Sequence, residues 1–515
     1  MKFSELQNIP AIFADLVDST LSSQQFITKI PNLGDLRSRA QQVSIPSTFR
    51  QQICRLLTIQ NGNFHGGEAV LKSIERLKEP STNVVLFDLP AYLFGGPLSL
   101  LLKCITAVKL VADLAGVGVS AVAVAWIRPC DRHNGKCGSI TVLDEEASLK
   151  EIKLAAAGQL SESANEDILL PEEISVQLQR LEHVLGRHAH PDVLDLLEQS
   201  YRPGSSLSLA CGKFFSRLLG ESGIVMIDPL DHKVQEMARP FYLQVADRAG
   251  NIAGLLRERL LALRQSGYLT ADPSALADPD SLELRLKALS ASCLNGRIPP
   301  PGSATLSMLM IPIFLGSILP ISTILVDPWQ LDEFALISGL YSEFGRSVPP
   351  IFPSLSATLL DARSRNFLGK YGFSFRDLFE GKNKLLQSFR AENPAVAAGV
   401  ELDGLIQESD QSLFPLLKES IGDRKLRGAI EDSQHKVHFQ LAKLRERLMA
   451  AGEERLAAAN RQISRICNTV APDGGLQERQ IGMVFFLCRH SWSLPRILET
   501  KLDLWTLEHQ LIPVD

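Results

Sequence analysis

The sequence has little charge of one sign in excess. Its 515 residues carry 53 Lys and Arg against 58 Asp and Glu, a formal net charge of −5. Such a balance gives no general attraction for nucleic acid or for an anionic membrane surface. A leader pattern is also missing. MKFSELQNIPAIFADLVDST shows no basic region followed by an apolar core, so it does not read as a signal peptide. The most apolar stretch, Met308 to Val326, is broken by Pro312 and Pro320, and reads as a buried strand-loop-strand passage, not a membrane span. The eight cysteines are scattered through the chain, and the expectation is free buried thiols in a reducing cytoplasm. Internal repeats and low-complexity tracts are lacking. A dinucleotide fingerprint G-x-G-x-x-G with its ribose-binding acid is lacking too, which disfavours a dehydrogenase.

What is present is an ordinary soluble composition, 45% hydrophobic and 22% charged, in a chain long enough for about two to four domains. Helical spacing over Thr48–Gln60 and Gly67–Leu77 precedes a short apolar strand at 84–87. A glycine turn, a helix over Leu98–Leu114 and a valine- and alanine-rich run from Val117 to Ile127 follow. A near-continuous apolar run suits a parallel strand covered on both faces. Residues 139–156 read as an excursion of one or two strands, and GIVMIDP at 223–229 as a further core strand. Residues 303–326 are expected to supply strands, Trp329–Phe344 a helix and Ile351–Leu360 a strand.

The fold class expected is therefore α/β, a Rossmann-like core with helical connecting insertions. The run from Glu401 to Asn468 changes character and reads as an antiparallel α-helical coiled coil, with Pro415 breaking its first arm. The domain reading is 1–160 for N-terminal helices and the first part of the core, 161–302 for the helical connecting region, 303–400 for the second part of the core, 401–470 for the hairpin and 471–515 for a tail that packs back on the core.

Two segments carry candidate chemistry. Gly95, Gly96 and Pro97 stand between a strand and a helix, where backbone can approach a ligand and helix N–H groups can face an anion. A tight turn is the competing reading. Lys103, two turns into that helix, is placed to reach phosphate or carboxylate. The second segment is the polar strand end after Ile127. His133 suits acid–base work near neutrality, Asp131 a cation or amine, and Arg128 and Arg132 an anionic group, with Asn134 beside them. An ordinary polar loop competes here too. Cys130, His133 and Cys137 have a spacing compatible with zinc, but one such cluster is weak evidence and no metal is assigned. Asp228 ends a core strand as a ligand contact or a cap. Gln477, Glu478 and Arg479 follow the long helix, either capping it or tying the hairpin to the core.

Several of these segments, in order and spacing, resemble one family. They are RQQICRLLTIQN at 50–61, LFGGPL at 93–98 with Lys103, the strand into Trp126 and Ile127, GIVMIDP at 223–229, VDPWQLDEF at 326–334, PPIFPSLSATLL at 349–360, KYGFSFRDLF at 370–379 and LQERQIGMVFFL at 476–487. The chain resembles the bacillithiol-biosynthesis cysteine-adding enzymes, also called cysteine ligases. The resemblance implies a Rossmann-like core related to nucleotidyl-transferring ligases, a C-terminal coiled coil and a homodimer. It implies a reaction joining L-cysteine to glucosaminyl-malate, with ATP and Mg as the implied cofactors. The expected site is catalytic Asp131 and His133, with Gly95, Gly96, Lys103, Trp126, Arg128, Arg132, Asn134 and Asp228 binding substrate or nucleotide. The chain departs from the family pattern in its polar positions. Asp88, Leu89 and Pro90 replace a glycine and two glutamines, and Cys130 to His133 replace a Glu-Asp-His-Asp run in which only Asp131 keeps register. Asp327, Trp329 and Gln330 replace two glycines and a glutamate, and Ser354 replaces an arginine. That pattern supports a second reading, a family member that kept the fold but lost the chemistry and serves as a binding or partner protein.

Overall fold

The computed structural model describes residues 1–6, 9–18, 21–27, 29–128, 137–154, 169–269, 282–294, 304–391, 394–420 and 422–514. Contacts divide it into one unit of Met1–Ala362 with Gly475–Asp515 and a second of Arg363–Gly474.

The strands of the first unit, in chain order, are β1 (Asn83–Pro90), β2 (Ala121–Arg128), β3 (Ser139–Leu143), β4 (Leu149–Lys153), β5 (Val225–Ile227), β6 (Ile321–Val326), β7 (Ile351–Pro353), β8 (Ala357–Leu360) and β9 (Gln510–Pro513). Among the described residues five of these form a parallel sheet in the order β5-β2-β1-β6-β7. The chain lays down β1, β2 and β5 outward in one direction, then returns to add β6 and β7 on the other side of β1. The reversal makes β1 and β6 the topological switch point, and open α/β sheets take ligands in the crevice outside the carboxyl strand ends there. Val84, Val85, Leu86 and Phe87 of β1 are fully buried, as the apolar run requires of a central parallel strand.

Helices close the sheet by side chain as well as by packing. Asn61, on the helix Ser47–Asn63, accepts from the Met226 N–H at 2.9 Å and donates to the Met226 carbonyl at 2.8 Å. Gln60 does the same for the backbone of Asp228. These amides satisfy an edge strand that would otherwise offer unpaired backbone groups. The buried Arg50 of the same helix donates to the carbonyls of Leu77, Pro80 and Thr82 and fixes the turn into β1.

Several expectations need correction. The apolar passage from 303 to 326 is not two strands: Ala304–Ile318 is a helix, and only 321–326 is a strand. Met310, Ile311, Ile313, Phe314 and Leu315 are all buried, so over this stretch no polar face marks the helical period in the sequence. The expected strand over 351–360 is split between two sheets: β7 joins the large sheet, while β8 pairs in parallel with β9 from the chain's end. Cys137 is disulfide-bonded, whereas Cys54, Cys104, Cys211, Cys467 and Cys488 keep free buried thiols. Burial raises the Cys54 thiol to about 11. Among the described residues no helix is long and apolar enough to cross a membrane.

The second unit centres on the 47-residue helix Arg424–Val470. A preceding arm runs antiparallel to it: Asp403 pairs with Arg445, Asp410 with His438 and Lys418 with Glu431. Pro415 does not break this arm. A π-helical turn over Ser409–Leu413 leads directly into the helix Phe414–Ser420, so the widened turn just before the proline accommodates its ring and missing N–H and the arm continues.

The chain's end is held by a buried polar chain. Gln477 accepts from the Leu359 N–H at 2.7 Å and donates to its carbonyl at 3.0 Å. Glu478 accepts from the Ala357 N–H and the Ser356 hydroxyl. His509 bridges Ser356 at 2.7 Å and Thr358 at 2.9 Å. Burial raises the Glu478 carboxyl to about 8, against the lowering effect of its hydrogen bonds. Burial lowers His509 to about 3, helped by the N-terminal ammonium.

These two shifts act in opposite directions on stability. An unfolded chain releases the Glu478 proton near 4.5 while the fold keeps it to about 8, so stability is lost as pH rises through that range. An unfolded chain protonates His509 near 6.5 while the fold resists to about 3, so stability is lost as pH falls through that range. The slopes, each at most about 1.4 kcal/mol per pH unit, oppose one another between the two ordinary values. Glu478→Gln mimics the protonated acid and is expected to remove its share of the loss between pH 6.5 and 8, read from urea midpoints of variant and wild type. Parallel profiles over that range would contradict the assignment.

Candidate functional site

Asp88 lies in β1 directly beside Trp126 of β2, and Arg128 ends β2 two residues on. After β6, Asp327 accepts from the Trp329 N–H at 2.9 Å and starts a 3₁₀ turn that carries Gln330. Lys103 belongs to the helix Leu98–Gly116 that follows β1. The parallel register thus brings positions 88, 103, 128 and 330 to one end of the crevice.

Their side chains interlock. Lys103 Nζ donates to Asp88 Oδ1 at 2.6 Å and to Gln330 Oε1 at 3.1 Å. Gln330 Nε2 donates to Asp88 Oδ2 at 2.8 Å, and Arg128 Nε lies 3.5 Å from the same oxygen. Both side chains of the central pair are buried, 1% exposed for Lys103 and 8% for Asp88, so their charges must be matched within the protein. Burial alone would push the Asp88 carboxyl up. The charges of Lys103 and Arg128, with the hydrogen bonds from Lys103 and Gln330, outweigh it and hold the group at about 2.

A second layer lies toward solvent. Arg128 reaches Glu333 at 3.4 Å. Arg479 pairs with Asp327 at 3.1 Å and stacks on Trp329, its guanidinium carbon 3.9 Å from the ring centroid. Tyr92 feels both ion pairs: burial raises its phenol, Arg128 and Arg479 pull it back, and Asp327 and Asp88 push it up. Arginines held in this way suit anionic ligand groups.

The glycine loop has a different role from the anion cradle anticipated. The Gly95 N–H donates to the Tyr201 hydroxyl at 2.8 Å, the Gly96 N–H to the Leu93 carbonyl at 3.0 Å and the Leu98 N–H to the Ile481 carbonyl at 3.1 Å. A side chain at Gly95 would come within 2.5 Å of the Phe214 ring, and one at Gly96 within 2.7 Å of Tyr92. With φ of 84° and 73°, both positions need glycine for backbone and for packing. These amides are spent inside the protein, so the loop does not fit a phosphate.

Of the other expected residues, Trp126 is buried in β2 and adjoins the site through Asp88. Asp228 caps the turn after β5, accepting from the Leu230 N–H at 2.9 Å; its strand is separated from β1 by β2. Asp131, Arg132, His133 and Asn134, with Cys130, lie outside the described residues. The disulfide at Cys137 removes that sulfur from any zinc set. Among the described residues no group of three or more His, Cys, Asp or Glu is placed to hold a metal. Residues not anticipated as site members are Asp88, Tyr92, Gln330, Glu333 and Arg479. The signal for Asp88 was in plain view: it is the one charged residue in a central strand that is apolar from Val84 to Phe87.

Lys103→Met would leave Asp88 buried without its main partner. The expected cost is about 3–5 kcal/mol in urea unfolding. Most of it should return in Lys103→Met/Asp88→Asn, which removes both charges. A Lys103→Met chain within about 1 kcal/mol of wild type would show that the pair is not a buried unit.

Comparison with known proteins agrees with this architecture. Residues 1–275 match the model of the bacillithiol biosynthesis BshC N-terminal Rossmann-like domain, and residues 357–514 that of the BshC C-terminal coiled-coil domain. Proteins described as "Putative cysteine ligase BshC" are similar over almost the whole chain. The one from Koribacter versatilis is 26% identical, covering 99% of this chain and 98% of the relative. Those from Solibacter usitatus and Salinibacter ruber are each 24% identical, covering 99% and 90% of this chain and 98% and 89% of the relatives. The chain belongs to the BshC family of bacillithiol biosynthesis, with its Rossmann-like and coiled-coil domains.

Proposed function

We propose that this chain is a cysteine ligase that joins the carboxylate of L-cysteine to the amine of glucosaminyl-malate, with ATP supplying the activation. The family match over nearly the full length carries this reading. The charged crevice at the switch point supports it, because amide formation from a carboxylate needs anionic groups held and oriented while a leaving group is installed. Arg128 and Arg479, at the rim, are the described residues suited to hold those groups. Asp131 and His133 belong to the reading as orienting acid and acid–base group. No step is placed on the Gly95–Gly96 loop, whose amides are engaged elsewhere. A homodimer is part of the same reading.

One observation favours a second reading. Asp88 already neutralises Lys103 in the crevice. A family member altered in this way can keep the fold and serve as a binding or partner protein.

Purified chain incubated with ATP, L-cysteine and glucosaminyl-malate is expected to yield the cysteinyl product by mass, and Asp131→Ala and His133→Ala to abolish it. Binding of either substrate without turnover supports the partner reading. Absence of both turnover and binding overturns both readings.

A further inference from the structure

The crevice between β1 and β6 contains a complete receptor for a carboxylate. Lys103 supplies a charged donor to one oxygen of Asp88, Gln330 supplies an amide donor to the other, and the Arg128 guanidinium stands beside it. Charge-assisted donors converging on both oxygens of one carboxylate are what a site for an anionic ligand needs. The receptor is built from three separate segments, the helix after β1, the end of β2 and the turn after β6. Its guest comes from the sheet itself.

We propose that Asp88 is a resident anion: it fills from within a seat for a small carboxylate, and so determines which ligands the crevice admits. A ligand carboxylate or phosphoryl group directed at Lys103 meets a charge already neutralised and a second negative charge at short range. The intact chain therefore selects against anionic groups at that point. The seat itself is lost only when Lys103 is lost, because Lys103 is its buried cation. This inference holds whichever of the two readings of the reaction stands.

Chemical rescue tests it in the full-length chain. Asp88→Ala removes the carboxylate and keeps the β-carbon, leaving a space the size of formate. Asp88→Gly leaves a space the size of acetate. Thermal midpoints are measured with sodium formate or sodium acetate against sodium chloride at equal ionic strength. Formate is expected to raise the midpoint of Asp88→Ala saturably, with acetate preferred by Asp88→Gly. Binding to the variants should be at least roughly tenfold tighter than to wild type. Rescue should vanish in Asp88→Ala/Lys103→Met. If a variant folds only with its anion present, formate- or acetate-dependent refolding is the same result. Equal effects on wild type and variant, rescue that survives loss of Lys103, or variants that neither refold nor gain stability with either anion would overturn the proposal. The readout is binding and not turnover, so it fails or succeeds separately from the ligase assay.

Discussion

The arrangement of this crevice depends on one buried ion pair, Lys103 with Asp88, completed by Gln330. Removing two charges from water is costly, and the cost is recovered only where geometry is close and the remaining hydrogen-bonding capacity is used. Here both Asp88 oxygens and two donors of Lys103 are engaged within 3.1 Å. The pair therefore fixes the relative positions of β1, the helix behind it and the turn after β6. Loosening any one would leave a buried charge without a partner.

The outer layer follows from that centre. With Asp88 held ionised by Lys103, Arg128 lies between it and Glu333 at the rim. Arg479 is set against Asp327 and the Trp329 ring, and Tyr92 lies within the electrostatic reach of both groups. The glycine loop contributes shape and not donors. Tyr201 takes the Gly95 amide and donates to the Tyr92 carbonyl, so the loop is sewn to the protein at the residue that faces the charges. Family membership places the chain among proteins described as "Putative cysteine ligase BshC", and the switch point is where its charged residues gather.

The strands β1 and β2 and the helix between them were legible because central parallel strands write continuous apolar runs and helices write a repeat. The coiled-coil arms were legible for the same reason. The helix 304–318 was not, since its stretch 309–315, buried apart from Pro312, writes the same apolar run as a strand. Nor was the split of 351–360, because sheet membership is decided by β9, some 150 residues later. At the site, Lys103 and Arg128 could be picked out by position after a strand. Their partners could not: Asp88 meets Gln330 only through the pairing of β1 with β6, and Arg479 returns from beyond the long helix. The glycine pair was read as a place where backbone approaches a ligand or as a tight turn, and the groups packed against it are Phe214 and Tyr92.

Asp88 is proposed to occupy the anion seat in the intact protein. A crystal structure of the wild-type chain soaked in concentrated sodium formate tests it most directly. Asp88 is expected unmoved, its two oxygens on Lys103 and Gln330, with no formate within hydrogen-bonding distance of Lys103 Nζ. Formate seated on Lys103, with the Asp88 side chain swung away, would contradict it.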